Sequence, residues 1–271
     1  MKNLILSLSF LLLTSTAEAW DVSSACVGFW KLNENAANST VDDTQNTAAG
    51  TMEDATGNIN TSTVATTGKI NGAFAFTGST NNRRVDAGNN FNYGRTQAMS
   101  IEVWVQTSTS SGEMLLVGKI DPDNNYRGYQ LYVNAGKPGF LMNYQWSGDA
   151  IDRYHNTSIA DGNWHHLVTT YDGSADETGI KVYIDGNEST NYACSACDLL
   201  SNDPAVTSPF SIGIRQGSTG TNNIPFTGNL DNVRIYNRVL TADEVTGLYN
   251  SGNGTENLAS ATTRRRPILI Q

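Results

Sequence analysis

From Trp20 onward the chain alternates apolar and polar residues in short runs, divided by clusters of Gly, Asn, Asp, Ser and Thr. A period of two bounded by turn residues marks antiparallel strands, because successive side chains then leave opposite faces of the backbone. The runs predict strands at 73–76, 100–106, 129–134, 140–146, 165–171, 181–185, 210–214 and 230–236. Many short strands at such spacing suit two packed sheets. Asp172-Gly173 and Asp185-Gly186 each end a run with a pair that accepts positive φ, which makes them corners. The stretches 35–68 and 191–209 lack a strand pattern and are expected to be long surface loops, the usual carriers of binding on rigid sandwiches.

Helical periodicity is confined to one place. Thr241 is followed three residues later by Glu244, the spacing of a capping box, and Leu240 and Val245 stand at the positions of a hydrophobic staple. The spacing predicts a helix over 242–249 whose Val245, Leu248 and Tyr249 lie against the sandwich. Beyond it, 251–271 is polar and aperiodic and contains Arg264, Arg265, Arg266 and Pro267, which predicts a flexible tail.

The first nineteen residues, MKNLILSLSFLLLTSTAEA, combine an early lysine, an apolar run and an A-x-A end, the pattern of a cleaved secretory signal. The run is about ten residues, too short for a bilayer core of about 30 Å. Residues 20–250 are then expected as one exported domain that is soluble after cleavage. The net charge of -9 opposes phosphate backbones, and no basic, aromatic-laced patch offsets it, so nucleic acid is excluded as a partner. In an oxidising compartment Cys194 and Cys197 can close a small C-S-A-C loop, which leaves Cys26 unpaired. A redox C-x-x-C would open a helix beside a βαβ unit, and that pattern is missing.

Six motifs stand in a telling order: VGFWKLNEN at 27–35, GKINGAFAFTGS at 68–79, SIEVWV at 100–105, DGNWHHLVTTYDG at 161–173, KVYIDG at 181–186 and GNLDNVRIYNRVLTADEVTGLY at 228–249. Their order, spacing and closing helix resemble the laminin-G-like jelly roll of the concanavalin A-like lectin/glucanase superfamily. The resemblance implies an all-β, two-sheet antiparallel jelly-roll sandwich with one short C-terminal helix. It implies a binding or adhesion module for a carbohydrate or a surface glycoprotein, and among its relatives are polysaccharide hydrolases and lyases. It also implies calcium where the N-terminal loop meets the last strand, with Asp42, Asp43, Asn46 and Asp231 as the ligand set. This loop departs from the tighter D-S-S-G-N pattern of such relatives, and loop-capping Asx residues are the equal alternative.

The equipment of an enzyme is missing from the sequence. A retaining glycosidase needs two carboxyl groups about 5–5.5 Å apart, and no E-x-D-x-x-E strand occurs. Glu102 has no acidic partner two or three residues on, and no G-x-S-x-G or H-E-x-x-H appears. His165 and His166 are adjacent, so on a regular strand they point to opposite faces and cannot share a metal. Trp30, Trp104 and Trp164 are expected to fill the space between the sheets. Sugar recognition needs an exposed ring with polar neighbours, and 126–155 is the richest source: Tyr126, Arg127, Tyr144, Trp146, Arg153 and Tyr154 are the candidate ligand contacts. Tyr144 and Trp146 share strand parity, so one face of their strand is expected to present the surface. The expectation is a secreted, periplasmic or cell-surface non-catalytic module with no catalytic residue assigned; the alternatives are a polysaccharide hydrolase or lyase with an unrecognised site and a purely structural surface protein.

Overall fold

A computed structural model describes residues 19–78, 82–215 and 223–260, and the alternating runs pair there into antiparallel sheets. In chain order the strands are β1 (Cys26–Trp30), β2 (Thr40–Val41), β3 (Gly50–Asp54), β4 (Gly57–Asn58), β5 (Ala65–Thr67), β6 (Gly72–Thr77) and β7 (Arg84–Asp86). There follow β8 (Met99–Gln106), β9 (Glu113–Asp121), β10 (Arg127–Asn134), β11 (Lys137–Gln145), β12 (Asp149–His155), β13 (Trp164–Tyr171), β14 (Ile180–Ile184) and β15 (Asn187–Glu188). The last are β16 (Tyr192–Cys197), β17 (Ser211–Ile212), β18 (Ile214–Arg215), β19 (Ile224–Pro225) and β20 (Thr227–Tyr236), before a single α-helix, α1 (Ala242–Tyr249).

The larger sheet has ten strands in the order β16-β12-β11-β10-β9-β17-β7-β3-β2, with β4 on β3. The smaller has eight, β15-β14-β13-β8-β20-β6-β5, with β1 on β20. Their facing sides enclose one core that holds Trp30, Phe74, Ile101, Val103, Leu116, Tyr129, Leu131, Phe140, Leu167, Phe210 and Val233. Trp30 stacks on Phe210 at 5.3 Å and meets Phe91 edge-on at 5.6 Å. Two further apolar clusters lie on the outer sides. On the smaller sheet, Phe29, Val168, Tyr183 and Tyr236 pack under Leu240, Val245 and Leu248 of the helical end of the chain. On the larger sheet, Leu115, Ile120, Tyr132 and Leu141 form a small patch with no helix over it among the described residues.

The helix forms as its caps dictate. Glu244 N donates to Thr241 Oγ1 at 3.2 Å, Thr241 N donates to Glu244 Oε2 at 2.8 Å, and Asn250 ends the helix at φ 50°.

Several expectations need correction. The stretch 35–68 is no open loop: β3 sends Met52 fully into the core and pairs with β7 on one side and with β2 and β4 on the other, a strand too short to alternate visibly. The stretch 191–209 likewise contains β16. The run 210–214 is two strands, broken at Gly213 with φ 91°, where a Cβ would come 2.2 Å from Phe76. Trp104 is buried, but on the outer side of the smaller sheet, where its ring lies 5.0 Å from His166 and 5.9 Å from Tyr249. Trp164 is only half-buried.

The tail boundary set at residue 251 falls too early. Trp20 N donates to Ser260 Oγ at 3.1 Å, Val22 N donates to Leu258 O at 2.8 Å, and Glu256 accepts from Lys31 Nζ at 2.7 Å. Residues 251–260 are therefore packed onto the sandwich. The leader up to residue 18 and the Arg264–Arg266 run lie outside the described residues. Among those described, no helix is long and apolar enough to cross a membrane.

Candidate functional site

Strand parity creates the site. On β10, Tyr129, Leu131 and Val133 enter the core, so Gln130, Tyr132 and Asn134 must leave the other face of the larger sheet. There they line a cavity of about 430 Å³ with Glu113, Leu141, Asp152, Ser195 and Arg215, and with Tyr126 and Trp146 from the loops. A second cavity of about 230 Å³ shares Tyr132, Asn134 and Ser195 with the first and adds Ala135, Lys137 and Tyr154.

The wall is pre-organised. Tyr132 Oη donates to Asp152 Oδ1 at 2.7 Å, and Ser195 Oγ donates to Asp152 Oδ2. Burial pushes the Asp152 carboxyl above its ordinary range, against the lowering effect of those two donors. Burial likewise pushes the Tyr132 phenol far up, so it stays a donor. Glu113 Oε1 accepts from Arg215 Nη1 at 2.7 Å and from Gln130 Nε2 at 2.9 Å. Gln130 Oε1 and Arg215 Nε are buried without a partner among the described residues, so this wall holds unused hydrogen-bonding capacity.

Of the six candidate ligand contacts, Tyr126 and Trp146 line the larger cavity and Tyr154 the smaller. Trp146 is 54% exposed, the only large aromatic so open among the described residues. Tyr126 sits at φ 58°, unusual for a bulky residue, and is pinned because Asn143 Nδ2 donates to its carbonyl at 2.6 Å and to that of Asn125 at 2.7 Å. The other three are structural. Tyr144 packs against the core with the Arg127 guanidinium 3.9 Å from its ring. Arg153 lies 4.0 Å from the Tyr192 ring and donates to the carbonyls of Ile180 at 3.0 Å and Thr178 at 3.2 Å.

The shared parity of Tyr144 and Trp146 also fails. Tyr144 keeps the inward parity of Phe140 and Met142, whereas the β11–β12 register slips between Asn143 and Gln145 and the strand ends at Gln145, so Trp146 leaves that parity and reaches the outer face. Sequence reasoning missed Glu113, Gln130, Tyr132, Asp152, Ser195 and Arg215. The period of two in β10 held the signal for Gln130 and Tyr132. Glu113 and Asp152 lie on β9 and β12, which pair with the neighbouring β10 and β11, whereas Ser195 and Arg215 come from β16 and β18, far along the chain.

The calcium set does not fit. Both Asp43 oxygens are taken by backbone N–H groups: Oδ1 by Phe29 and Gln45, Oδ2 by Thr47 and Ala48, at 2.8–2.9 Å. Asp231 Oδ2 instead accepts from Ile70 N at 2.8 Å and its Oδ1 from Asn232 Nδ2 at 2.5 Å. Burial pushes the Asp231 carboxyl up to about 7. Asp42 is exposed, and Asn46 turns the loop at φ 56°. Among the described residues no group of three or more His, Cys, Asp and Glu is placed to hold a metal.

The histidines and Glu102 belong to the frame. His165 meets Asp185 Oδ2 at 2.8 Å, while His166 Nε2 meets Glu102 Oε1 at 3.1 Å. Glu102 is fully buried with Arg234 and Tyr236, and although burial opposes its charge, the Arg234 guanidinium holds its carboxyl below the ordinary range. Cys194 and Cys197 form a disulfide, and Cys26 is a buried free thiol.

No curated protein matches this chain. Among solved structures it is similar to the binding domain of Paraclostridial Mosquitocidal Protein 1, at 17% identity and a TM-score of 0.61 over 85% of this chain and 53% of the other. It is similar to domain 4 of AbnA, a GH43 extracellular arabinanase from Geobacillus stearothermophilus in complex with arabinotriose, at 19% identity and a TM-score of 0.54 over 82% and 97%. It is also similar to the binding domain of botulinum neurotoxin DC in complex with rat synaptotagmin II, at 13% identity and a TM-score of 0.57 over 85% and 52%. This chain thus spans about half the length of the two toxin binding-domain chains, and at these identities the likeness is one of fold. The family model of the concanavalin A-like lectin/glucanases superfamily matches residues 77–246. A match over more than half of the sequence, on a two-sheet jelly roll, makes this chain a member of that superfamily.

Proposed function

We propose that this protein is an exported, non-catalytic module that binds a carbohydrate chain in the groove on the outer face of its larger sheet. The observation that carries the reading is the larger cavity: an exposed indole, Trp146, above a wall of fixed hydroxyl, amide and carboxylate groups. Sugars present an apolar ring face and a rim of hydroxyls, and this arrangement offers a partner for each. Its 430 Å³ lies within the roughly 300–1,000 Å³ usual for ligand pockets. The adjoining 230 Å³ falls below it and makes sense as an extension of the first cavity toward Tyr154. The bound arabinotriose of the arabinanase domain, a fold neighbour, agrees with the reading. Export rests on the leader pattern of the first nineteen residues.

The test is a glycan array with wild type and Trp146→Ala. Wild type should retain neutral oligosaccharides, and the variant should lose about tenfold or more in affinity, the scale of a tryptophan hot spot, at unchanged stability. Equal binding by both proteins removes the reading.

A second reading, cleavage of the chain, has one observation in its favour: Glu113 and Asp152 face the same cavity, with Asp152 protonated more readily than an ordinary carboxyl. Both Asp152 oxygens and Oε1 of Glu113 are engaged by neighbouring donors, which favours binding. Reducing-sugar release from pooled polysaccharides that Asp152→Asn abolishes would establish cleavage instead.

A further inference from the structure

β16 is the edge strand of the larger sheet, held on one side only, by β12. Its register with β12 slips: Ala193 pairs with Tyr154 and Ala196 with Asp152, so Cys194 and Ser195 together face the single residue Arg153. One extra residue is a β-bulge, and bulges re-aim side chains. In regular register Ser195 would lie opposite Arg153 and share its face, away from Asp152. The bulge turns it over, so that its hydroxyl donates to Asp152 Oδ2 and its side chain lines both cavities. The two cysteines flank this serine, and their disulfide closes a ring of four residues around the bulge, with a Cα–Cα distance of 5.7 Å. A ring so short removes little chain entropy from the unfolded state compared with a long loop. Its effect is therefore local.

Resting on the groove reading above, we infer that the Cys194–Cys197 disulfide is a clamp on the binding groove: it holds the bulge that presents Ser195, and its reduction lowers ligand affinity while leaving the sandwich folded. The bond is within reach of a reductant, since Cys197 is exposed and Cys194 half-buried. A small dithiol supplies the electrons. Its two thiols become a disulfide, the Cys194–Cys197 bond breaks, and the two protons end on the two Sγ atoms. Cys26 does not interfere, because it is buried and burial pushes its thiol up to about 12.

The experiment compares oxidised and dithiothreitol-reduced protein, and the Cys194→Ser/Cys197→Ser double variant, by hydrogen exchange and by calorimetric titration with neutral oligosaccharides of two to six units. Reduction should speed amide exchange in β16 and its β12 partners while the strands of the core stay protected. Affinity should fall about fivefold or more, the scale of one ordinary hydrogen bond. Ser195→Ala in the oxidised protein should lose as much, and reduction of that variant should cost nothing further, a coupling that general destabilisation would not produce. Unchanged exchange in β16, equal affinity in both redox states, or global unfolding on reduction each overturns the clamp. Failure of the oxidised protein to bind any of these oligosaccharides overturns the groove reading and the clamp with it.

Discussion

Asp43 shows how a single side chain decides between two functions. Four N–H groups converge on its carboxylate, which ties the 43–48 turn to β1. Asp43→Ala leaves those donors unmet and should cost about 3 kcal/mol in urea denaturation, with Asp43→Asn recovering part of it. Chelator should leave the melting temperature of wild type unchanged, whereas a calcium-dependent rise would restore the cation site rejected here. Asp231 gives a pH signature. Burial raises its pKa from 3.8 to about 7, so the folded state holds this proton more tightly than the unfolded chain does. Its contribution to stability is fully present below about pH 4 and is lost as pH rises through 7, at no more than about 1.4 kcal/mol per pH unit. Denaturation followed from pH 5 to 8 should show wild type weakening in this way and Asp231→Asn flattening the slope. At this scale the sequence identified Trp146, Tyr126 and Tyr154 as rings near a surface. It could not separate them from Tyr144 and Arg153, because which face of β11 is buried and which carbonyls meet Arg153 are decided by packing against other strands.

At the scale of elements, what was legible is what is local. The capping box, the corner glycines and the long alternating strands β8, β10, β13 and β20 follow from neighbours within a few residues. β9 was hidden because Met114, Leu115, Leu116 and Val117 form a continuous apolar run, with Leu115 facing the outer patch and the others the core. β3 and β16 were hidden because they bury few side chains, β3 being short and β16 an edge strand. The segment 251–260 was mistaken for tail because it is held by backbone and polar contacts that leave no hydrophobic period. It covers buried groups all the same: Arg234 Nη2 donates to Thr255 O, and Glu256 joins Lys31, Asn33 and Asn71. Ending the chain after Asn250 should therefore destabilise the domain by about 3 kcal/mol, read by chemical denaturation, because a fully buried guanidinium loses an acceptor and Leu258 its packing. An unchanged midpoint would mean the segment is ornamental.

At the scale of the molecule, the two sheets differ in what lies outside them. The outer side of the smaller sheet is covered by the α1 helix and the paired segments 20–22 and 258–260, over a buried network of Glu102, His166, Arg234 and Tyr236. The outer side of the larger sheet has no helix over it among the described residues and carries the two cavities, the exposed indole and the disulfide-ringed serine. The fold class was legible from alternation, because a period of two repeated along the chain needs two sheets to bury it. Which sheet stays open was not, since that depends on where the helix and those segments return. Backbone and indole NMR shifts, followed while neutral oligosaccharides are titrated into the protein, test the open face most directly. The expected result is a continuous patch of perturbation over Tyr126, Gln130, Asn134, the Trp146 indole and Ser195, with Asp42–Asn46 and Asp231 silent. Perturbation centred on that rim loop or beside the α1 helix, or none for any sugar, would contradict it.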